Sequence, residues 1–112
     1  MPTLLDENQL RDALSELHCW EGHRETGIQC RRDLPSFRHA IRLVDAVADV
    51  AEEMDHHPNI DIRFKTVTFV LCTHSAGGVT DLDITLARRI DGLVDALAAP
   101  DGAAGAEGAP EA

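Results

Sequence analysis

Residues 60–73, Ile60-Asp61-Ile62-Arg63-Phe64-Lys65-Thr66-Val67-Thr68-Phe69-Val70-Leu71-Cys72-Thr73, decide the fold. Ile60 to Phe64 alternates apolar and polar side chains with period two, the pattern of a half-buried strand. Val67 to Thr73 is richer in β-branched and aromatic residues and reads as a second, more deeply buried strand. Only Lys65 and Thr66 separate the two, and so short a link joins antiparallel neighbours.

Working outward, Pro58 forces the residue before it out of the helical region, so a helix arriving from upstream stops near His56. That long helix is expected to be capped by Asp33, with Pro35 tolerated in its first turn. Phe37, Ile41, Val44, Ala48 and Ala51 form its apolar stripe, widened by Val47 and Met54. Before it, Trp20 to Glu25 and Ile28 to Asp33 read as a hairpin around Thr26-Gly27. The chain opens on a capping-box start, Asp6-Glu7-Asn8-Gln9. A helix follows with Leu10, Ala13, Leu14 and Leu17 on one face, running to about His18. Downstream, Ser75 to Gly78 is a loop. Thr80-x-x-Asp83 has capping-box spacing and opens a third helix, with Leu86, Ala87, Ile90, Leu93, Val94 and Leu97 inward. The order is α-β-β-α-β-β-α. It predicts an α+β fold of two layers, a four-stranded antiparallel sheet with three helices packed on one face.

The 112 residues suit one domain. Residues 1–97 carry the periodic pattern, whereas 98–112 are an Ala/Gly/Pro/Glu tail without a large apolar side chain, expected to be disordered. Net charge is −10, from 20 acidic against 10 basic side chains, which argues against direct nucleic-acid binding. No apolar run approaches the length of a membrane span, and the start lacks a signal-peptide pattern. Cys19, Cys30 and Cys72 are odd in number with no Cys-x-x-Cys, and read as reduced thiols of a cytoplasmic protein.

Three of the six histidines remain to be explained by chemistry: His56 and His57 at the end of the second helix, and His74 at the end of the last strand. Both points leave the packed core where a pocket between helix and sheet would open. Histidine exchanges protons near neutrality, and the negative end of a helix favours its protonated form. Adjacent residues at a helix end diverge by about 100°, so His56 and His57 are expected to do different work. Such a set can supply both an acid and a base. The plainer readings are a polar helix stop for His-His-Pro, a strand-end residue for His74, a helix cap for Asp83 and a solvated charge for Glu52. His18, His23 and His39 fall in no pattern and are assigned to the surface. No metal site is expected, because the histidines lack His-x-x-x-His spacing on one helical face and no cysteine pair joins them. Cys72, two residues before His74, shares its strand face, which makes a thiol–histidine pairing conceivable.

Glu52-x-x-x-His56-His57-Pro58, then Phe64, His74 and Asp83 at fixed spacings, together with Trp20, Asp55, Thr73 and Gly77-Gly78, resembles the signature of pterin-4a-carbinolamine dehydratases. The resemblance covers about residues 6–97 and implies the α-β-β-α-β-β-α fold read above from periodicity. It implies a hydro-lyase that expels water from 4a-hydroxytetrahydropterin to give quinonoid dihydropterin, in recycling of a pterin cofactor. His56, His57 and His74 would be the acid–base set, with His56 and His74 the main pair and His57 orienting and sharing a proton. Asp55, Thr73 and Ser75 would hold the pterin, Trp20 would form a pocket wall, and Glu52 and Asp83 would tune or orient the histidines. The pterin is substrate, and neither metal nor other cofactor is implied. The resemblance also implies a homodimer or homotetramer. It leaves an alternative: a non-catalytic protein-binding or assembly factor on the same fold. The chain departs from the pattern at Cys19, Arg32, Leu34, Ile60 and Phe64, positions of packing and pocket wall.

Overall fold

Asp6 starts the first helix by a reciprocal capping box: its Oδ1 accepts from the Gln9 backbone N–H at 2.8 Å, and its own N–H donates to Gln9 Oε1 at 2.9 Å. The structure, a computed structural model, describes residues 2–98. Its elements are α1 (Glu7–Ser15), β1 (Glu21–His23), β2 (Gly27–Asp33), α2 (Phe37–Met54), β3 (Asn59–Arg63), β4 (Thr66–Leu71) and α3 (Asp81–Ala98), with a single 3-10 turn at His74–Ala76. Three helices and four strands thus follow the expected order. The tail expected over 98–112 lies outside the described residues, apart from Ala98, which closes α3.

The strands pair antiparallel throughout in the order β1-β2-β4-β3. The register sets Ile28 opposite Leu71, Cys30 opposite Phe69 and Ile60 opposite Phe69. Ile28, Cys30, Val67, Phe69 and Leu71 therefore share the inner face with the helices and are almost fully buried, whereas Gln29, Arg31, Thr68 and Val70 fall on the other. Across from them α2 contributes Ala40, Leu43, Val47 and Val50, and α3 contributes Leu86, Ala87, Ile90 and Val94.

Three expectations need correction. The cap of α2 is Ser36, whose side chain accepts from the His39 N–H, and not Asp33. The Leu34 N–H still donates to the Lys65 carbonyl at 2.9 Å and Leu34 is buried, so the chain stays extended past Asp33, which instead accepts from Thr66 Oγ1. The buried face of α2 is Ala40, Leu43, Val47, Val50 and Ala51. Phe37 and Ile41 are 51% and 42% exposed, on a second apolar stripe that periodicity alone does not tell from the first. Finally, Cys19 and Cys30 form a disulfide, with Cα atoms 5.3 Å apart, and only Cys72 is a free thiol. The β1–β2 hairpin brings the loop before β1 back beside β2, a juxtaposition that an odd cysteine count does not reveal.

Candidate active site

The end of α2 turns the two histidines apart. Asp55 adopts the left-handed conformation (φ 52°, ψ 44°), its N–H bonds to the Glu52 carbonyl, and the His56 N–H reaches back to the Ala51 carbonyl at 3.0 Å. This paired closure ends a helix, and aspartate is among the few non-glycine residues that tolerate it. His56 then faces inward: its Nε2 lies 2.6 Å from Asp83 Oδ1, with the imidazole only 10% exposed and Asp83 wholly buried. His57 faces outward, its Nε2 2.7 Å from Glu52 Oε2 on the exposed last turn of α2. Asp55 itself is exposed beside them.

Asp83 divides its two oxygens between fold and site. Oδ2 accepts the Thr80 N–H at 2.9 Å, which caps the start of α3, and the Thr73 hydroxyl at 2.8 Å. Thr73 and Thr80 are themselves joined hydroxyl to hydroxyl at 2.8 Å, and the Leu82 N–H donates to Thr80 Oγ1 at 3.2 Å. A buried carboxylate needs such partners to offset its desolvation, and this one has three donors. Thr80 was legible as a cap residue from its spacing to Asp83. The hydroxyl pair with Thr73 was not, because it forms only when the loop between them closes.

That loop carries His74. Thr73 and Gly78 exchange backbone hydrogen bonds (2.8 and 3.2 Å), pinching off His74-Ser75-Ala76-Gly77 as a short projection. His74 and Ser75 are exposed, and among the described residues neither makes a side-chain hydrogen bond. Gly78 is required for the closure: a Cβ there would lie 1.9 Å from the Arg24 carbonyl oxygen.

Hydrogen bonds thus link His56, Asp83 and Thr73 at the junction where α2 leaves for β3 and β4 leaves for α3, and His57 to Glu52; Asp55 adjoins the histidine pair in the chain, and His74 and Ser75 follow Thr73. Trp20 makes no hydrogen bond to any of them among the described residues. It is buried, and its indole Nε1 donates to Asp91 Oδ1 at 2.9 Å, which also takes Arg32 Nη2 at 2.8 Å. Asp91 stands eight residues beyond Asp83 on α3, about 12 Å along the helix. Burial pushes the Cys72 thiol above its ordinary range, and the negative Asp83 adds to the effect. A thiol so disfavoured as thiolate is a poor nucleophile. Among the described residues no group of three or more His, Cys, Asp or Glu side chains is placed to hold a metal ion.

Chemically, the junction offers one imidazole backed by a buried carboxylate, a second paired to a surface carboxylate, and a third free to meet a ligand. Proton donation and acceptance at two points on one small molecule is what such a set can do.

Comparison with known proteins bears on that reading. Residues 3–93 match the family described as pterin 4 alpha carbinolamine dehydratase. A relative from Nocardia farcinica, named "putative pterin-4-alpha-carbinolamine dehydratase", is 51% identical over 92 residues, 80% of this chain and 94% of its own. One of the same name from Mycobacterium sp. (strain JLS) is 48% identical over 93 residues, 82% of this chain and 97% of its own. Among solved structures, a transcriptional coactivator/pterin dehydratase from Brucella melitensis superposes with a TM-score of 0.77 at 34% identity, covering 80% of this chain and 97% of that one. A pterin dehydratase-like protein described as a RuBisCO assembly factor of the alpha-carboxysome gives 0.59 at 25% identity, over 69% of this chain and 90% of that one. With residues 3–93 matched and relatives about half identical over four-fifths of its length, the chain belongs to the pterin 4 alpha carbinolamine dehydratase family.

Proposed function

We propose that this chain dehydrates a 4a-hydroxytetrahydropterin, protonating the C4a hydroxyl so that it leaves as water and removing the N5 proton to give the quinonoid dihydropterin. The observation that carries the reading is the His56–Asp83 pair, tied through the Thr73 hydroxyl to the start of the loop that carries the unpartnered His74. A carboxylate-backed imidazole holds its proton at a fixed place, and a free one can meet the substrate. His56 and His74 are the acid–base pair in this reading. His57, with Glu52 behind it, orients the substrate and shares the proton. Asp55 suits the amidine edge of a pterin, and Ser75 offers a hydroxyl beside His74. Thr73 enters through Asp83, where its hydroxyl is already committed. Trp20 supports the site from a distance, through α3.

No described helix is long and apolar enough to cross a membrane. The proposed reaction stays in the cytoplasm, with the pterin as substrate. The outward Phe37 and Ile41 of α2, with the open edge of β3, support a homodimer or homotetramer. The same exposed stripe favours a second reading, a non-catalytic assembly factor, of which the carboxysome protein is an example by its description.

Stopped-flow absorbance on freshly generated 4a-hydroxytetrahydropterin separates the two. The enzyme reading expects dehydration well above the uncatalysed rate, falling by ~10²–10⁴ in His74→Ala. Wild-type protein that leaves the spontaneous rate unchanged would leave the binding role as the better account.

A further inference from the structure

The hydrogen bonds around Asp83 have a direction, and following it assigns a proton. The Leu82 N–H can only donate, so Thr80 Oγ1 accepts from it at 3.2 Å. Thr73 Oγ1 donates its single proton to Asp83 Oδ2 at 2.8 Å. In the contact between the two hydroxyls, also 2.8 Å, Thr80 is then the donor, because Thr73 has no second proton to give. The chain runs one way: Leu82 N–H to Thr80, Thr80 to Thr73, Thr73 to Asp83. The Thr80 N–H adds a second donor on the same Oδ2. Oδ2 is saturated as an acceptor, and Asp83 is wholly buried, with Oδ1 facing His56 Nε2 at 2.6 Å. A carboxylic acid is a stronger acid than an imidazolium, so the proton in that contact rests on nitrogen.

We infer that Asp83, its Oδ2 engaged by this one-way hydroxyl chain with Thr80 as a positioning residue, holds His56 through Oδ1 in the Nε2–H tautomer, so that Nδ1 is the ring atom through which His56 takes up and returns a proton. Its place in turnover rests on the dehydratase reading given above; the tautomer does not. In both the neutral and the charged imidazole Nε2 keeps its hydrogen toward Asp83, and only Nδ1 changes state. Thr80 never touches the substrate here. Its hydroxyl fixes which way Thr73 points, and Thr73 fixes which way Asp83 is used.

Asp83→Asn gives a sharp consequence. The two donors on the Oδ2 side, Thr73 Oγ1–H and Thr80 N–H, require the amide oxygen there. The amide NH₂ is left facing His56 Nε2, which must then accept, and the imidazole flips to Nδ1–H. Asparagine still caps α3 through its oxygen, so this variant keeps the helix start.

The test is long-range proton–nitrogen correlation NMR on histidine-labelled protein without substrate, with His56 assigned by its loss in His56→Gln. Neutral His56 is expected to show a protonated Nε2 and a bare Nδ1 in the wild type, and the reverse in Asp83→Asn. A wild-type Nδ1–H signal, or an Asp83→Asn protein that keeps Nε2–H, overturns the inference. Thr80→Val is expected to lower kcat roughly tenfold with KM little changed, the lower end for losing an orienting partner, and Thr80→Ser to restore it. A folded Thr80→Val protein with wild-type kcat removes Thr80 from the scheme. Should that variant not fold, the two tautomer measurements decide alone. A protein that shows the expected tautomer but no turnover would sink the dehydratase reading and leave this assignment standing.

Discussion

Cys72 sits where a reactive thiol would be convenient, two residues before His74, yet its surroundings quiet it. Burial raises its proton affinity above the ordinary value of 9.0, and the charge on Asp83 raises it further. In folded protein at pH 7.5 it should react with iodoacetamide at least several-fold more slowly than in urea-unfolded protein, as mass spectrometry at timed quench points would report. The sign for stability follows. The thiol of the unfolded chain ionises first, so stability falls as pH rises through about 9, and Cys72→Ala should flatten that fall. At this scale the sequence was informative in a particular way. The spacing of Thr80 and Asp83 announced a helix cap, and the cap is there. What no local pattern announces is that the other oxygen of the same carboxylate meets His56, 27 residues earlier. The family resemblance marked Asp83 as a partner of the histidines; the residue's own neighbourhood marked it only as a cap. Nor does a local pattern announce that the Trp20 indole N–H is committed to Asp91.

Helices and loops add their own constraints. Gly78 closes the His74 loop with φ +159° and no room for a Cβ, whereas Gly92 lies in α3 with nothing within 4 Å of where one would be. Gly78→Ala should cost at least ~1–3 kcal/mol and loosen the loop. Gly92→Ala should raise stability by ~0.5–1 kcal/mol. Urea titrations of the two variants, read by circular dichroism, would show midpoints moving in opposite directions. Element order and type were legible because the strands are short and alternating and the helices periodic. The start of α2 was not, since Asp33 looks like a cap and only the pairing of Leu34 with Lys65 shows that the strand has not finished. Nor was its buried face, because Phe37, Ile41, Val44 and Ala48 repeat as regularly as Ala40, Leu43, Val47 and Val50. Hydrophobic period locates a helix; deciding which of two stripes turns inward requires knowing what lies opposite.

For the molecule as a whole, the Cys19–Cys30 disulfide ties the loop after α1 to an inner strand of the sheet across a sequence separation of 11. A closure of that length is worth about 3 kcal/mol by its effect on the unfolded chain. Adding a reductant should therefore lower the urea midpoint of the wild type and leave that of Cys19→Ser unmoved. The cysteine count hid this pair, since a third, unpaired thiol made the total odd. The division of Asp83 between its two oxygens also reaches beyond the site. One oxygen holds the first turn of α3 and the other holds His56, so the last helix cannot come undone at its start while the imidazole stays aimed. In the proposed dehydratase, a molecule that has begun to fray there is already silent. Turnover per mole of chain then works as a census of intact molecules, and under increasing urea the loss of activity and the loss of helix signal trace a single curve.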